Sequence, residues 1–129
     1  MFSEVYAKVC LKWKLHTNSV QLSCKVEDID FGVRFMDPNH NYVADCQISF
    51  DGSVCSTNNK TFSISQNLTT KVTTLTIPIK EGITTSGRWS CFHGKKYESD
   101  FADVTTYRSW GKLSCMNVTS SKIIGRYYT

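Results

Sequence analysis

Cys91 and His93 stand two residues apart in Gly87-Arg88-Trp89-Ser90-Cys91-Phe92-His93. On an extended strand that spacing puts thiol and imidazole on the same face. A free thiolate beside a histidine base is the pairing that nucleophilic catalysis requires. Cys91, however, has a structural competitor for its sulfur. Cys24 lies in Val20-Gln21-Leu22-Ser23-Cys24-Lys25-Val26, an alternation of period two that turns Leu22 and Cys24 inward together. Trp89 and Cys91 share a face in the same way. Two inward cysteines, 67 positions apart and each beside a large apolar residue, point to a disulfide pinning two sheets across a core. No Ser-His-Asp arrangement or paired-carboxylate motif offers a rival, so no catalysis is expected. Asp28 and Asp30, with Glu27 beside them, place oxygen ligands at alternating positions, as calcium favours. The glycine and distal glutamate of a calcium loop are missing, which leaves a solvated acidic loop. No Cys-x-x-Cys pair occurs, and no histidine stands at zinc-finger spacing from two cysteines, so no metal or other cofactor is expected.

The elements that must position these groups belong to one domain of 129 residues. Six cysteines, at 10, 24, 46, 55, 91 and 115, suit complete pairing, with fifteen connectivities open to them. Asn59, Asn67 and Asn117 each begin an Asn-x-Ser/Thr acceptor site for glycosylation. Even cysteines and three such sites together favour an oxidising, extracellular setting, either secreted or on a cell surface. No apolar run nears the ~20 residues that span a bilayer, so no membrane insertion is expected. The start, Met1-Phe2-Ser3-Glu4-Val5-Tyr6, lacks the basic and apolar regions of a secretory signal. That is the expectation for a processed chain or a piece of a longer one.

The net charge of +4 is uneven. All eleven acidic residues precede Tyr107, where eleven Lys and Arg balance them, so Arg108, Lys112, Lys122 and Arg126 supply the whole excess. A basic tail can attract polyanions through charge alone, although four charges over this length is thin.

Turn signals recur about every ten residues, at Asp37-Pro38-Asn39, Asp51-Gly52-Ser53, Thr57-Asn58-Asn59-Lys60, Gly82, Gly87 and Gly94. Between them lie runs rich in Val, Ile, Thr, Phe and Tyr, with no helical repeat. Strands are predicted at 5–14, 19–27, 31–37, 42–48, 61–66, 71–80, 87–94 and 99–107, which reads as an all-β sandwich or barrel. Pro78 removes a ladder donor and belongs on an edge or near a strand end. A further strand is expected at 112–116.

Three segments resemble the immunoglobulin superfamily, in its variable or intermediate form. Leu22-Ser23-Cys24 is similar to the second strand with its first cysteine, and Leu75-Thr76-Ile77 to the fifth strand. Gly87-Arg88-Trp89-Ser90-Cys91 is similar to the sixth-strand signature Asp-x-Gly-x-Tyr-x-Cys. The match covers about 19–107. In this chain Thr85 stands for the family's aspartate, Trp89 for its tyrosine, and Phe35 for its third-strand tryptophan. An indole donates a hydrogen bond but accepts none, so a tyrosine corner of the usual kind is not expected. Phe35, the cysteines at 46 and 55 and the Gly-x-Trp-x-Cys-x-His-Gly run resemble immunoglobulin-like ectodomains of invertebrates.

The resemblance implies an immunoglobulin-like, two-sheet antiparallel sandwich with disulfides over 1–107, followed by a basic extension, 108–129, that adds a strand to it. It implies that Cys24–Cys91 joins the sheets and that Cys46–Cys55 closes a short loop. The first and last strands of such domains run side by side, which makes Cys10–Cys115 a further pair; the alternative is that Cys115 bonds another chain. The loops 27–31 and 94–98 then share one end. Glu27, Asp28 and Asp30 meet Lys95 and Lys96 there, either as local charge pairs or as a binding rim with Phe31, His93 and Tyr97. Arg34, Met36 and Phe92 face outward on one sheet, where such domains pair, or lie under the tail. The expected function is extracellular recognition or adhesion through a protein ligand or receptor, homo-oligomers included. The alternative is a secreted immune-type effector, or a polyanion-binding protein, acting through the basic tail.

Overall fold

The computed structural model describes residues 4–6, 8–94, 98–105, 110–111 and 116–118. Alternating patterns become strands in chain order: β1 (Glu4–Tyr6), β2 (Val9–Leu15), β3 (Ser19–Val26), β4 (Val33–Met36), β5 (Tyr42–Ser49) and β6 (Gly52–Thr57). These are followed by β7 (Ser63–Asn67), β8 (Val72–Pro78), β9 (Gly87–His93), β10 (Ser99–Val104), β11 (Trp110–Gly111) and β12 (Met116–Val118). They form two five-stranded antiparallel sheets, in the orders β10-β9-β4-β5-β6 and β11-β2-β3-β8-β7, with β1 and β12 as a separate pair. The fold is an all-β sandwich of antiparallel sheets. No described residue is helical, so no described helix is long and apolar enough to cross a membrane.

Period-two patterning explains the core. Leu11 and Trp13 on β2, Val20, Leu22 and Val26 on β3, and Leu75 and Ile77 on β8 turn inward from one sheet. Val33 and Phe35 on β4, Trp89 on β9 and Val104 on β10 meet them from the other. Fully burying one such side chain stabilises by about 1.5–3 kcal/mol before chain entropy is counted. Phe35 is fully buried and lies in register with Cys91, so it fills the space beside the bridge. The sandwich is also tied along one side, where the Leu11 amide of β2 donates to Asp100 Oδ2 of β10 at 2.8 Å.

Two disulfides differ in kind. Cys24–Cys91 links β3 to β9 across the core, with Cα atoms 6.4 Å apart and both residues fully buried. Cys46–Cys55 joins register partners on neighbouring strands β5 and β6, at a Cα separation of 3.9 Å. Cys10 is disulfide-bonded as well, and no described cysteine is free. The Cys10–Cys115 pairing falls outside the described residues. Bridges of this number in a small β domain fit an oxidising environment.

Several expected boundaries move. The first strand, read as 5–14, divides into β1 and β2, which have different partners. The third begins at Val33 rather than 31, because the Phe31 amide is used elsewhere, as described below. β6 was not expected at all: Gly-Ser-Val-Cys-Ser-Thr is too small and polar to read as a strand, and pairing with β5 creates it. Pro78 ends β8, where its missing N–H costs no ladder bond. Of the further strand expected at 112–116, only Met116 is described, at the start of β12.

The corner before β9 also departs from expectation. Trp89 Nε1 donates to the carbonyl of Thr85 at 2.9 Å in a fully buried setting. The indole, being a donor, makes the backward bond to the chain that a tyrosine hydroxyl would make. Gly87, between them, sits at φ +127°, and a Cβ there would meet Pro38 at 2.7 Å.

Candidate functional site

At one end of the sandwich, the loop between β3 and β4 is held from beneath by His93. The backbone amides of Asp30 and Phe31 both lie 3.1 Å from His93 Nε2, and His93 Nδ1 lies 2.6 Å from Glu98 Oε1. A backbone amide can only donate, so Nε2 is the unprotonated nitrogen and Nδ1–H donates to the carboxylate. Gly94 N–H donates to the Gly32 carbonyl at 2.9 Å, and a Cβ on Gly94 would meet the Phe31 ring at 3.0 Å. The two rings of Phe31 and His93 lie 5.7 Å apart. Phe31 is thereby presented to solvent at 57% exposure while His93, at 3%, stands behind it. His93 therefore positions the rim and is not on it.

His93→Ala leaves two amides of this loop without an acceptor. We expect a loss of about 2 kcal/mol in stability, from the desolvation of unpaired donors. Hydrogen exchange checks it: Asp30 and Phe31 amides lose protection, while core amides of β8 change only by the global shift.

Lys95, Lys96 and Tyr97 lie outside the described residues, and so does their pairing with Glu27, Asp28 and Asp30. Glu27 has a described partner, Lys25, at 3.8 Å. Among the described residues no three His, Cys, Asp or Glu side chains converge as a metal site. Cys91, the candidate nucleophile, is bonded to Cys24 and has no thiol to offer.

The outward face of β10-β9-β4-β5-β6 begins directly below this rim. Register places Arg34 between Phe92 of β9 and Asp45 of β5, with Met36 between Ser90 and Tyr42. The Arg34 guanidinium lies 4.3 Å from the centre of the Tyr42 ring, and that ring meets Phe92 edge-on at 5.7 Å. A second pair flanks it: Arg88 covers the Phe101 ring at 3.9 Å and holds Asp103 with two bonds, at 2.9 and 3.2 Å. The hydrogen bonds that Arg88 donates to Asp103 raise the pKa of its guanidinium. Cation–π stacking restricts both arginines, and Arg88 is held by its ion pair with Asp103 as well. A shallow cleft of about 310 Å³ opens beside Arg34 and Tyr42, bounded by Asp45, Ser56 and Asn58.

Arg34, Met36 and Phe92 are thus brought to one face, and each remains partly exposed. Tyr42, Arg88 and Phe101 complete the face and were not identified from the sequence. The signal for Phe101 was present: Phe101 and Asp103 alternate with the buried Ala102 and Val104. Tyr42 was hidden by the β-bulge between Phe35 and Met36, which shifts its register by one.

The acceptor asparagines lie elsewhere. Asn59 sits in the turn after β6, beside a second cleft of about 490 Å³, with its Oδ1 accepting from the amide and hydroxyl of Thr61. Asn67 ends β7 and is exposed, its Oδ1 capping the Thr69 and Thr70 amides. Asn117 lies on β12, paired with Val5. No protein-family model matches the chain, and no curated protein matches it in sequence.

Proposed function

We propose that this chain is an extracellular recognition module of immunoglobulin type, which binds another protein and carries out no catalysis. The observation that carries the reading is the aromatic and guanidinium cluster on the outward sheet face, Arg34–Tyr42–Phe92 beside Arg88–Phe101. Tyr and Arg are the residues that concentrate binding energy at interfaces, and here stacking has already limited their freedom. Nothing in the packing of the sandwich calls for them, because the core is filled from the other side of the same strands. The disulfides supply stability in the oxidising surroundings where such a module works. Secretion, or a place in the ectodomain of a receptor, accounts for them equally, and glycans at Asn59 and Asn67 fit the same setting.

The test is a screen of the tetramerised domain against a panel of extracellular ectodomains. A partner that uses this face binds at least about tenfold more weakly to Arg34→Ala and Tyr42→Ala, a loss of about 1.4 kcal/mol each. It binds as before when Arg108, Lys112, Lys122 and Arg126 are changed to glutamine. Binding that ignores the face, but falls with those four substitutions and steeply with salt, belongs to a polyanion-binding tail instead.

A further inference from the structure

The turn joining β5 to β6 places a large apolar side chain entirely in water. Phe50 is 108% exposed, with Val54 at 63% and Ile48 at 37% beside it. Gln47 faces Val54 across the ribbon and Ile48 faces Ser53. Successive residues point to opposite faces, so Ile48 and Val54 leave the ribbon on opposite sides. Apolar groups therefore surround the tip, a shape suited to entering a pocket rather than lying on a flat wall.

The tip is also held. Cys46–Cys55 links the strands three register steps before the turn closes at Ser49 and Gly52. Ser49 Oγ donates to the Gly52 carbonyl at 3.2 Å, and Ser53 Oγ donates to Gln66 Oε1 of β7. Gly52 takes φ +116°, a backbone region that favours glycine, and so lets the chain leave the turn directly into β6. A partner meeting Phe50 meets a side chain whose backbone is already ordered, which removes a cost of association.

Charge selects the partner. Between Tyr42 and Thr57 the only charged residues are Asp45 and Asp51, with no Lys or Arg. Segments that enter a membrane surface carry basic residues toward its anionic lipids, and this one would be repelled. We propose that the β5–β6 hairpin is a docking finger, with Phe50 entering an apolar pocket on a partner protein and Asp51 facing Lys or Arg at the pocket's rim. The finger rests on the recognition-module reading and adds a contact outside the Arg34–Phe92 cluster.

A phage-displayed library of random dodecapeptides, selected on the immobilised full chain, tests it. The expected peptides combine aromatic or aliphatic residues with Lys or Arg. They weaken at least about tenfold on Phe50→Ala and roughly threefold on Asp51→Asn, each a change in Kd. Phe50→Ala keeps its thermal midpoint within about 2 °C, since the lost side chain contacts only water. Peptides that bind Phe50→Ala as they bind the wild type overturn the proposal, and so do selected peptides that are acidic. It falls equally if the wild type, but not Phe50→Ala, binds vesicles of equal phosphatidylserine and phosphatidylcholine. A dimer in sedimentation that Phe50→Ala abolishes would make the occupant a second copy, and would also overturn it. Dependence on Phe50 without dependence on Arg34 sustains the finger and removes the sheet face; the reverse sustains the face and removes the finger.

Discussion

Replacing Cys24 and Cys91 together by alanine lowers the unfolding free energy by about 4 kcal/mol. The bridge closes a loop of 67 residues, and the chain entropy it removes from the unfolded state grows with the logarithm of that length. For the nine-residue separation of Cys46 and Cys55 the same relation gives about 2.6 kcal/mol. Domains of this size hold only about 5–15 kcal/mol in all, so the first change brings the protein close to unfolding and the second does not. Urea titration of the two double variants measures both. The order is the critical result: a larger loss at Cys46–Cys55 would mean that the short bridge does more than shorten the unfolded chain.

The second large effect belongs to Trp89. Trp89→Ala is expected to cost about 3–5 kcal/mol, through lost burial and the cavity left between the sheets. Trp89→Phe isolates the smaller part. It keeps an aromatic ring but removes the donor to Thr85, leaving a buried carbonyl unpaired at about 1–3 kcal/mol. Denaturation midpoints for the two variants separate these contributions. If Trp89→Phe is as stable as the wild type, the Thr85 carbonyl finds another donor and the corner bond contributes nothing net.

Much of the sandwich was legible because its strands are half-buried. Leu22 with Cys24, Val33 with Phe35 and Trp89 with Cys91 each announce a face by alternation, and each is buried. β6 was illegible because its residues gain strand character only by pairing with β5, a contact that no local pattern encodes. The site divides along the same line. Arg34, Met36 and Phe92 follow from strand periodicity, whereas Tyr42 follows only once a bulge is allowed for. His93 was read as a contact residue because its type suits recognition. Its partners are two loop amides and Glu98, and the fold alone brings them together. Phe50 was overlooked for a different reason: a single aromatic residue in a turn has no period to betray its exposure.

The inter-sheet bridge has one more consequence, mechanical rather than thermodynamic. A protein that holds a partner can be pulled by its ends, and a covalent link decides how far it pays out. Cys24 and Cys91 lie 67 positions apart in a chain of 129, and at about 3.4 Å per residue roughly 230 Å of chain is locked out of extension. The enclosed segment contains β4, β5, β6, β7, β8 and β9 as far as Cys91, hence Arg34, Tyr42 and Phe50, with Phe92 directly after the bridge. Force applied at the termini reaches the flanking strands first, and the enclosed loop carries no tension while the bridge is intact.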